Sequence, residues 1–357
     1  MARLGLGEAW VCQFANDFDA GKASAYRANF ADAWTHFHEG DVWALHPDAL
    51  PGQADLAWAS SPCQDFSLAG ARAGLAGGRS SAFFGFWRLM QLLDKEGRAP
   101  RAIVIENVAG LLSSHAGADF EAVCAALSER GYRFGALEID AACVLPQSRV
   151  RVFIVASRET PAALQGPSEF HSRAIRAAFQ RLPEPLRRDW VWWRLNAPAR
   201  PNHDLAALLE PDEAVAWRSE VETAELLALM DGRHAAKVET AKACGERRVG
   251  AVFRRIRNGE QRAEVRFDGL AGCLRTPGGG SSRQFLVVVE NGQVRTRLVS
   301  PREAARLMGL PEDYRLPKSA HAALEVVGDG VAVPVVRLLA QALLEPLLRA
   351  RPEIVAA

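Results

Sequence analysis

The 357 residues suffice for one large domain or two ordinary ones, and with 49% apolar residues, 24% charged residues and a formal net charge of +1 they carry no global field that would draw in a polyanion. Six widely spaced cysteines (Cys12, Cys63, Cys124, Cys143, Cys244, Cys273) include no C-x-x-C pair, which argues against a zinc site or a disulfide framework and for a reducing compartment. The opening MARLGLGEAW lacks the blocks of a signal peptide and no uninterrupted apolar run approaches about 18 residues, so the expectation is a cytoplasmic protein with no membrane span and no metal.

In chain order, WVCQFAND (10–17) predicts a strand ending on Asp17, GKASAYRANF (21–30) a helix, and DLAWA (55–59) a second strand. FFGFWRLMQLLDKEG (83–97) has helical spacing, AIVIENV (102–108) is a β-branched strand, and a helix near 118–130 precedes strands at FGALEID (134–140) and RVRVFIVAS (149–157). Strands alternating with helices predict parallel βαβ units in a doubly wound α/β sheet, with ligands at the carboxyl ends of the strands.

After about residue 158 the alternation fades and Pro, Arg and Trp become frequent. From 233 to 266 the chain carries Arg233, Lys237, Lys242, Arg247, Arg248, Arg254, Arg255, Arg257, Arg262 and Arg266 against Glu239, Glu246, Glu260 and Glu264. Such a run is a solvated face by default, yet a basic stripe without a matching acidic one is also the footprint of a phosphate-binding surface. SPREAARLMGLPEDY (300–314) has a Ser-Pro helix start, Glu303 in the first turn and Gly309 near its end, and a final apolar helix is expected over roughly 331–349.

Three clusters fall at strand ends. Pro62-Cys63-Gln64 comes just after the strand at 55–59, and a Pro-Cys pair alone is weak evidence for catalysis. Glu106-Asn107-Val108 ends the next strand, where a carboxylate needs a partner or a task if it is buried. Gln147, Arg149 and Arg151 share one face by the two-residue period of a strand, and arginines there ordinarily pair with carboxylates.

In this order and spacing the three resemble the signature blocks of the C5-cytosine DNA methyltransferase family: the Pro-Cys-Gln loop, the Glu-Asn-Val block and the Gln-x-Arg-x-Arg block. GDV (40–42) matches the family's cofactor-adenine block, RLVSPREAARLMGLPEDY (297–314) its ninth motif, VGDGVAVPVVRLLAQALL (327–344) its tenth, and GLAGCLRTPGGGSSRQ (269–284) the core of its target-recognition domain. The resemblance implies a Rossmann-like methyltransferase sheet with a smaller recognition domain inserted before the C-terminal motifs: a catalytic and cofactor region at 1–157, recognition at 158–296, and motifs at 297–357 that return to the catalytic region. It also implies a monomer that uses S-adenosylmethionine on double-stranded DNA, with a cognate restriction endonuclease as a further partner.

Carbon 5 of cytosine is a poor nucleophile until a group adds to carbon 6, and a thiolate can add and later leave. The resemblance assigns that role to Cys63, N3 and the exocyclic amine to Glu106 carrying a proton, and O2 to Arg151, with Arg149 beside them. It places Asp17 on the ribose hydroxyls, Phe18 on the adenine face and Asp41 on its amino group, with Val42, Pro62, Asp329 and Val331 completing the cofactor side. Gln64, Ser67, Asn107, Gln147, Arg275, Gly279 and Gly280 are implied on the substrate side. A base inside a stacked duplex is out of reach, so flipping is implied as well.

Three departures stand out. The family's first block, a strand and a Phe-x-Gly-x-Gly turn, has no counterpart, because Met1–Gly7 matches only the segment just after that turn. The expectation is that Met1 is an internal methionine and that the chain as written binds cofactor poorly. The tenth motif has Asp329 where the family has Asn, and Cys273 stands where the recognition core often has Thr. A degenerate DNA-binding relative and an RNA cytosine methyltransferase are the competing readings; the Cys-Phe-Thr element of the RNA branch is absent.

Overall fold

The computed structural model describes residues 1–61, 82–199, 204–257, 259–277 and 283–349. Helix α1 (Ala2–Leu6) is followed by strand β1 (Ala15–Asp17), helices α2 (Ala20–Asn29) and α3 (Ala33–His36), and strands β2 (Phe37–Glu39) and β3 (Leu56–Ser60). Helix α4 (Ala82–Lys95), strand β4 (Ala102–Val108), helix α5 (Ala118–Ser128) and strands β5 (Arg133–Asp140) and β6 (Val150–Ser157) come next. The second half adds α6 (Arg173–Arg181), α7 (Glu184–Arg188), α8 (Glu220–Ala228) and α9 (Gly232–Ala243), then β7 (Arg248–Arg257), β8 (Glu260–Arg266), β9 (Phe285–Glu290) and β10 (Gln293–Leu298). Helices α10 (Pro301–Leu307), α11 (Ala320–Asp329), α12 (Val333–Leu339) and α13 (Glu345–Arg349) complete the described chain.

Strand β4 reads as one apolar run because both of its faces are covered. Ile103 and Ile105 point into a layer with Phe83 and Trp87 of α4 and Phe120 and Val123 of α5. Ala102 and Val104 point the other way, toward Leu307 of α10 and Val333 and Val336 of α12. That second layer also holds Val249, Ala251, Leu286 and Val288, so the sheet β10-β9-β7-β8 shares a core with the sheet β3-β4-β6-β5. Strands β1 and β2 form a separate parallel pair.

The expectation of all-parallel units is corrected at β6. Strands β3 and β4 are parallel, whereas β6 runs antiparallel to both β4 and β5. The link from Ala141 to Arg149 contains only the short turn Ala141–Cys143, and a parallel crossover needs about a dozen residues. The strand expected over 10–17 narrows to Ala15–Asp17, with Val11 exposed. The final helix begins at Val333 and carries a π-helical turn at Ala340–Leu344, and a further helix, α11, stands ahead of it where none is expected from the sequence.

Of the region 158–296, the stretch to Leu195 packs on the four-stranded sheet. The Trp193 indole is buried and donates to Val155 O at 2.9 Å. The chain passes so close to β5 that a Cβ on Gly135 would lie 1.8 Å from Val191 O, which admits only glycine there. The antiparallel sheet of the second half has a core of its own, with Val252, Val265, Phe285 and Val287 against Leu226 and Val238 of α8 and α9.

By length and composition alone residues 320–349 could cross a membrane, yet 56% of the apolar window is buried inside the protein. Valines 333, 335 and 336 lie in the core, and α12 packs on α1. These are packing helices.

The ninth-motif helix α10 starts on a capping box, with Ser300 and Glu303 bonding each other's backbone N–H groups. Both Glu303 oxygens also take Arg297, at 2.7 and 2.6 Å, and Oε1 accepts from Glu210 N, so one buried carboxylate ties β10, α10 and the 210 loop. The pair is 1% exposed on each side. Removing one partner strands the other charge, so Glu303→Ala is expected to cost about 3–5 kcal/mol in urea denaturation. A loss below about 1 kcal/mol would show the junction to be dispensable.

Candidate active site

The reversal of β6 puts its first residues at the edge where β3 and β4 end. In register, Ser60 of β3 lies beside Glu106 of β4, and Val108 of β4 lies beside Arg151 of β6. The Glu-Asn-Val block and the Arg-x-Arg block meet for that reason, although one closes a strand and the other opens one. The ligand edge of the sheet holds both.

Glu106 is 7% exposed, and its Oε1 sits 3.1 Å from Arg151 Nε, with the Ser60 hydroxyl as a further hydrogen-bond partner. Burial pushes its pKa up from the ordinary carboxylate value, and the pull of Arg151 and the bond to Ser60 only partly oppose that. Its carboxyl therefore keeps a proton more readily than a solvated glutamate would.

Several sequence-predicted residues brace the site. Asn107 donates to Ser61 O at 2.9 Å and accepts from Val108 N, so its amide holds the end of β3 immediately before Pro62. Gln147 is fully buried, donating to Leu307 O at 2.6 Å and accepting from Leu274 N at 3.0 Å. Arg149, 2% exposed, donates to Leu274 O at 2.8 Å, Gly328 O at 3.0 Å and Gly330 O at 2.7 Å. With both terminal nitrogens so engaged, Arg149 ties β6 to the segment at Leu274 and to the one at Gly328 and Gly330. Burial lowers its pKa, and the neighbouring Arg151 adds to that.

Cys273, in the sequence only a departure from the family pattern, accepts from Arg149 Nη1 at 3.4 Å and Arg151 Nη1 at 3.9 Å. Its sulfur bridges the two arginines. Arg275 is exposed and has no side-chain partner among the described residues. Pro62, Cys63, Gln64 and Ser67, and Gly279 and Gly280, lie outside the described residues.

Strands β1 and β2 end together, with Asp17 beside Glu39 and Gly40 N donating to Asp17 O. Burial raises the Asp17 pKa, and its Oδ1 accepts from Asp19 N. The Phe18 side chain stands 74% exposed, and Asp41 Oδ1 accepts from Trp43 N at the turn that contains Val42. Val331 is buried. Asp329 is answered by a residue that no sequence motif singles out, because Lys22 Nζ meets its Oδ2 at 2.6 Å. Where the resemblance calls for a neutral amide, this chain carries an ion pair between α2 and α11.

The basic run 233–266 is less free than its sequence suggests. Arg247 pairs with Asp212 and Glu290, Arg255 with Glu264, Arg262 with Glu260 and Arg266 with Asp268. Asp212, Glu290 and Asp268 lie outside the run, so a count within it could not find them.

The sequence pattern of the C-5 cytosine-specific DNA methylase family matches residues 2–345. Among curated proteins, Type II methyltransferase M1.ScrFI of Lactococcus lactis subsp. cremoris is 26% identical over 95% of this chain and 73% of its own length. Type II methyltransferase M.HhaI of Haemophilus parahaemolyticus is 26% identical over 92% of this chain and 86% of its own. Among solved structures, the S. pombe Dnmt2 methyltransferase superposes with a TM-score of 0.57 at 18% identity, covering 94% of this chain and 91% of that one. A putative DNA modification methyltransferase encoded in an E. coli prophage gives 0.54 at 17% identity, covering 98% and 95%. Both structures share the fold.

The raised pKa of Glu106 has a sign that can be read out. Its folded form holds the proton beyond the ordinary value near 4.5, so its contribution to stability is full at low pH and is lost as pH rises through the raised value. Glu106→Gln removes that loss. The difference in melting temperature between variant and wild type should move in the variant's favour from pH 4.5 to pH 8. A shift toward wild type over the same range would mean that the ion pair with Arg151 outweighs burial.

Proposed function

Because the chain belongs to the C-5 cytosine-specific DNA methylase family, and is thereby a DNA (cytosine-5-)-methyltransferase, we propose that it methylates carbon 5 of a flipped-out cytosine through a covalent Cys63 adduct, with S-adenosylmethionine as donor. The observation that carries this reading is Glu106, buried at the strand edge with a raised pKa beside Arg151.

In this reading the Cys63 sulfur bonds carbon 6 and the carbon 5–carbon 6 π pair moves into the ring. Glu106 gives a proton to N3 and Arg151 donates to O2, so the charge that develops meets fixed donors at little reorganisation cost. Once carbon 5 carries the methyl group and N3 has returned its proton to Glu106, loss of the carbon-5 proton to a base re-forms the carbon 5–carbon 6 double bond and expels the Cys63 thiolate. Arg149, Asn107 and Gln147 position these groups. Arg275, exposed within the recognition core, together with Gln64, Ser67, Gly279 and Gly280, would meet the DNA.

The residues at the ends of β1 and β2 fit an adenosyl group: an exposed aromatic face at Phe18, a half-buried carboxylate at Asp17 for ribose hydroxyls, and Asp41 for an amino group. Val42, Pro62, Val331 and Asp329 would complete that side. When bound, S-adenosylmethionine supplies an electrophilic methyl group. Residues 1–157 and 297–357 would carry the chemistry and 158–296 the target recognition. A monomeric, cytoplasmic enzyme belongs to the same reading, as does a cognate restriction endonuclease, which relatives named Type II methyltransferases support.

Transfer of labelled methyl from S-adenosylmethionine to duplex DNA tests this, with bisulfite sequencing to locate the product. Cys63→Ala should abolish transfer, and Glu106→Gln and Arg151→Ala should each lower kcat by roughly 10²–10³-fold. Transfer that survives Cys63→Ala would end the covalent mechanism.

A further inference from the structure

Since the arginines of the second sheet are largely paired with carboxylates, the cationic surface left for a polyanion lies elsewhere. Between 173 and 188 stand Arg173, Arg176, Arg181, Arg187 and Arg188, with Glu184 as the sole carboxylate of the segment. Among the described residues, Glu184 pairs with Arg188, and no carboxylate pairs with the other four. Helix α6 buries Ile175 and Ala178 against the catalytic sheet layer and leaves Arg173, Arg176, Gln180 and Arg181 exposed. The stretch is inconspicuous in the sequence, because its charges are spaced by apolar residues and do not form a run.

The position of α6 gives the face a direction. Just before the helix, Phe170 O accepts from Glu138 N, near the end of β5 that adjoins the site. At its other end Arg181 Nη2 donates at 2.6 Å to Leu112 O, four residues beyond Val108 and the Glu-Asn-Val block. The helix is therefore tied at both ends to the edge that holds Glu106 and Arg151. The Arg176 guanidinium lies 6.0 Å over the Trp192 ring, which limits its freedom to swing into solvent.

We propose that α6 forms an arginine ledge, with Arg173 and Arg176 on its exposed face, that binds backbone phosphates of duplex DNA flanking the target, beside the catalytic edge; α7 takes no part, because Asp189 at its end accepts from Phe134 N at the opposite end of β5. Charge complementarity supports this occupant, because an unpaired guanidinium can take a phosphate without first giving up a carboxylate. The ledge reads no sequence; it fixes the orientation of the duplex. The proposal rests on the methyltransferase reading for its substrate, and its test separates the two.

The test uses the full chain with Arg173 and Arg176 changed together to Gln; Arg181 is kept because it bonds Leu112 O. Binding to labelled mixed-sequence duplexes of about 12 and about 30 base pairs is followed against salt, with melting temperature checking the fold. On the longer duplex the slope of log K against log salt should shrink by about 2, while the shorter duplex shows little change. At saturating genomic DNA, kcat for methyl transfer should match wild type. An unchanged slope on the longer duplex overturns the ledge, and an equal loss on both lengths overturns its flanking position. If wild type transfers no methyl to any DNA, the functional reading fails instead, whatever the slopes show.

Discussion

A guanidinium in the interior has no water to satisfy it, and that constraint shapes the centre of this protein. Arg149 is 2% exposed, and its terminal nitrogens reach carbonyls at Leu274, Gly328 and Gly330. Those three residues come from two segments far apart in the chain, one holding Leu274 and the other Gly328 and Gly330. Each carbonyl it engages has to be delivered by a segment that is itself packed. Gly328 is part of that delivery, because a Cβ there would lie 2.7 Å from the backbone of Arg275 and Thr276. One buried cation thus sets how closely these two segments approach β6.

The same strand shows how two neighbouring arginines take different work. Arg149 points into carbonyls and is consumed by structure. Arg151, two residues on, keeps its Nε against Glu106 and shares only the weak acceptor Cys273 with Arg149. A sulfur is a softer and poorer acceptor than a hydroxyl, so Cys273 holds the pair of guanidiniums apart without binding either tightly. The Glu106 carboxyl gains less from Arg151 than it loses to burial, which leaves its pKa raised. A stronger pair would hold it ionised and unable to give a proton. The moderate attraction is what the proposed chemistry needs.

Much of this was legible in the sequence, for identifiable reasons. The strands at 102–108 and 150–157 and the helices at 82–95 and 118–128 show because burial on one face or two imposes a period on apolar residues. The capping box at Ser300 and Glu303 shows because its partners are three residues apart. What failed was whatever depended on distant partners. The direction of β6 is set by the shortness of the 141–149 link rather than by any pattern inside the strand. Lys22 and Asp329 are 307 positions apart, and neither forecasts the other. Gln147 and Asn107 read as substrate contacts, yet their amides are spent on backbone groups of neighbouring segments.

Charge is the sharpest case of that difference between composition and placement. A net charge of +1 conceals two unlike basic regions. The dense run of the second sheet is answered by Asp212, Glu290 and Asp268 from outside it, so its local field is largely cancelled. Among the described residues the sparser set on α6 and α7 is answered by a carboxylate at Arg188 alone, and its apolar spacing comes from the helix burying its opposite face. Amphipathic packing therefore does two things at once: it hides Ile175 and Ala178 and gathers arginines that are three and five positions apart onto the exposed side. Density along the chain is a poor guide to electrostatic potential, because potential depends on which charges remain unpaired once the chain has folded. In a molecule with nearly equal numbers of Lys and Arg (43) and Asp and Glu (42), the fold decides where any positive field is left.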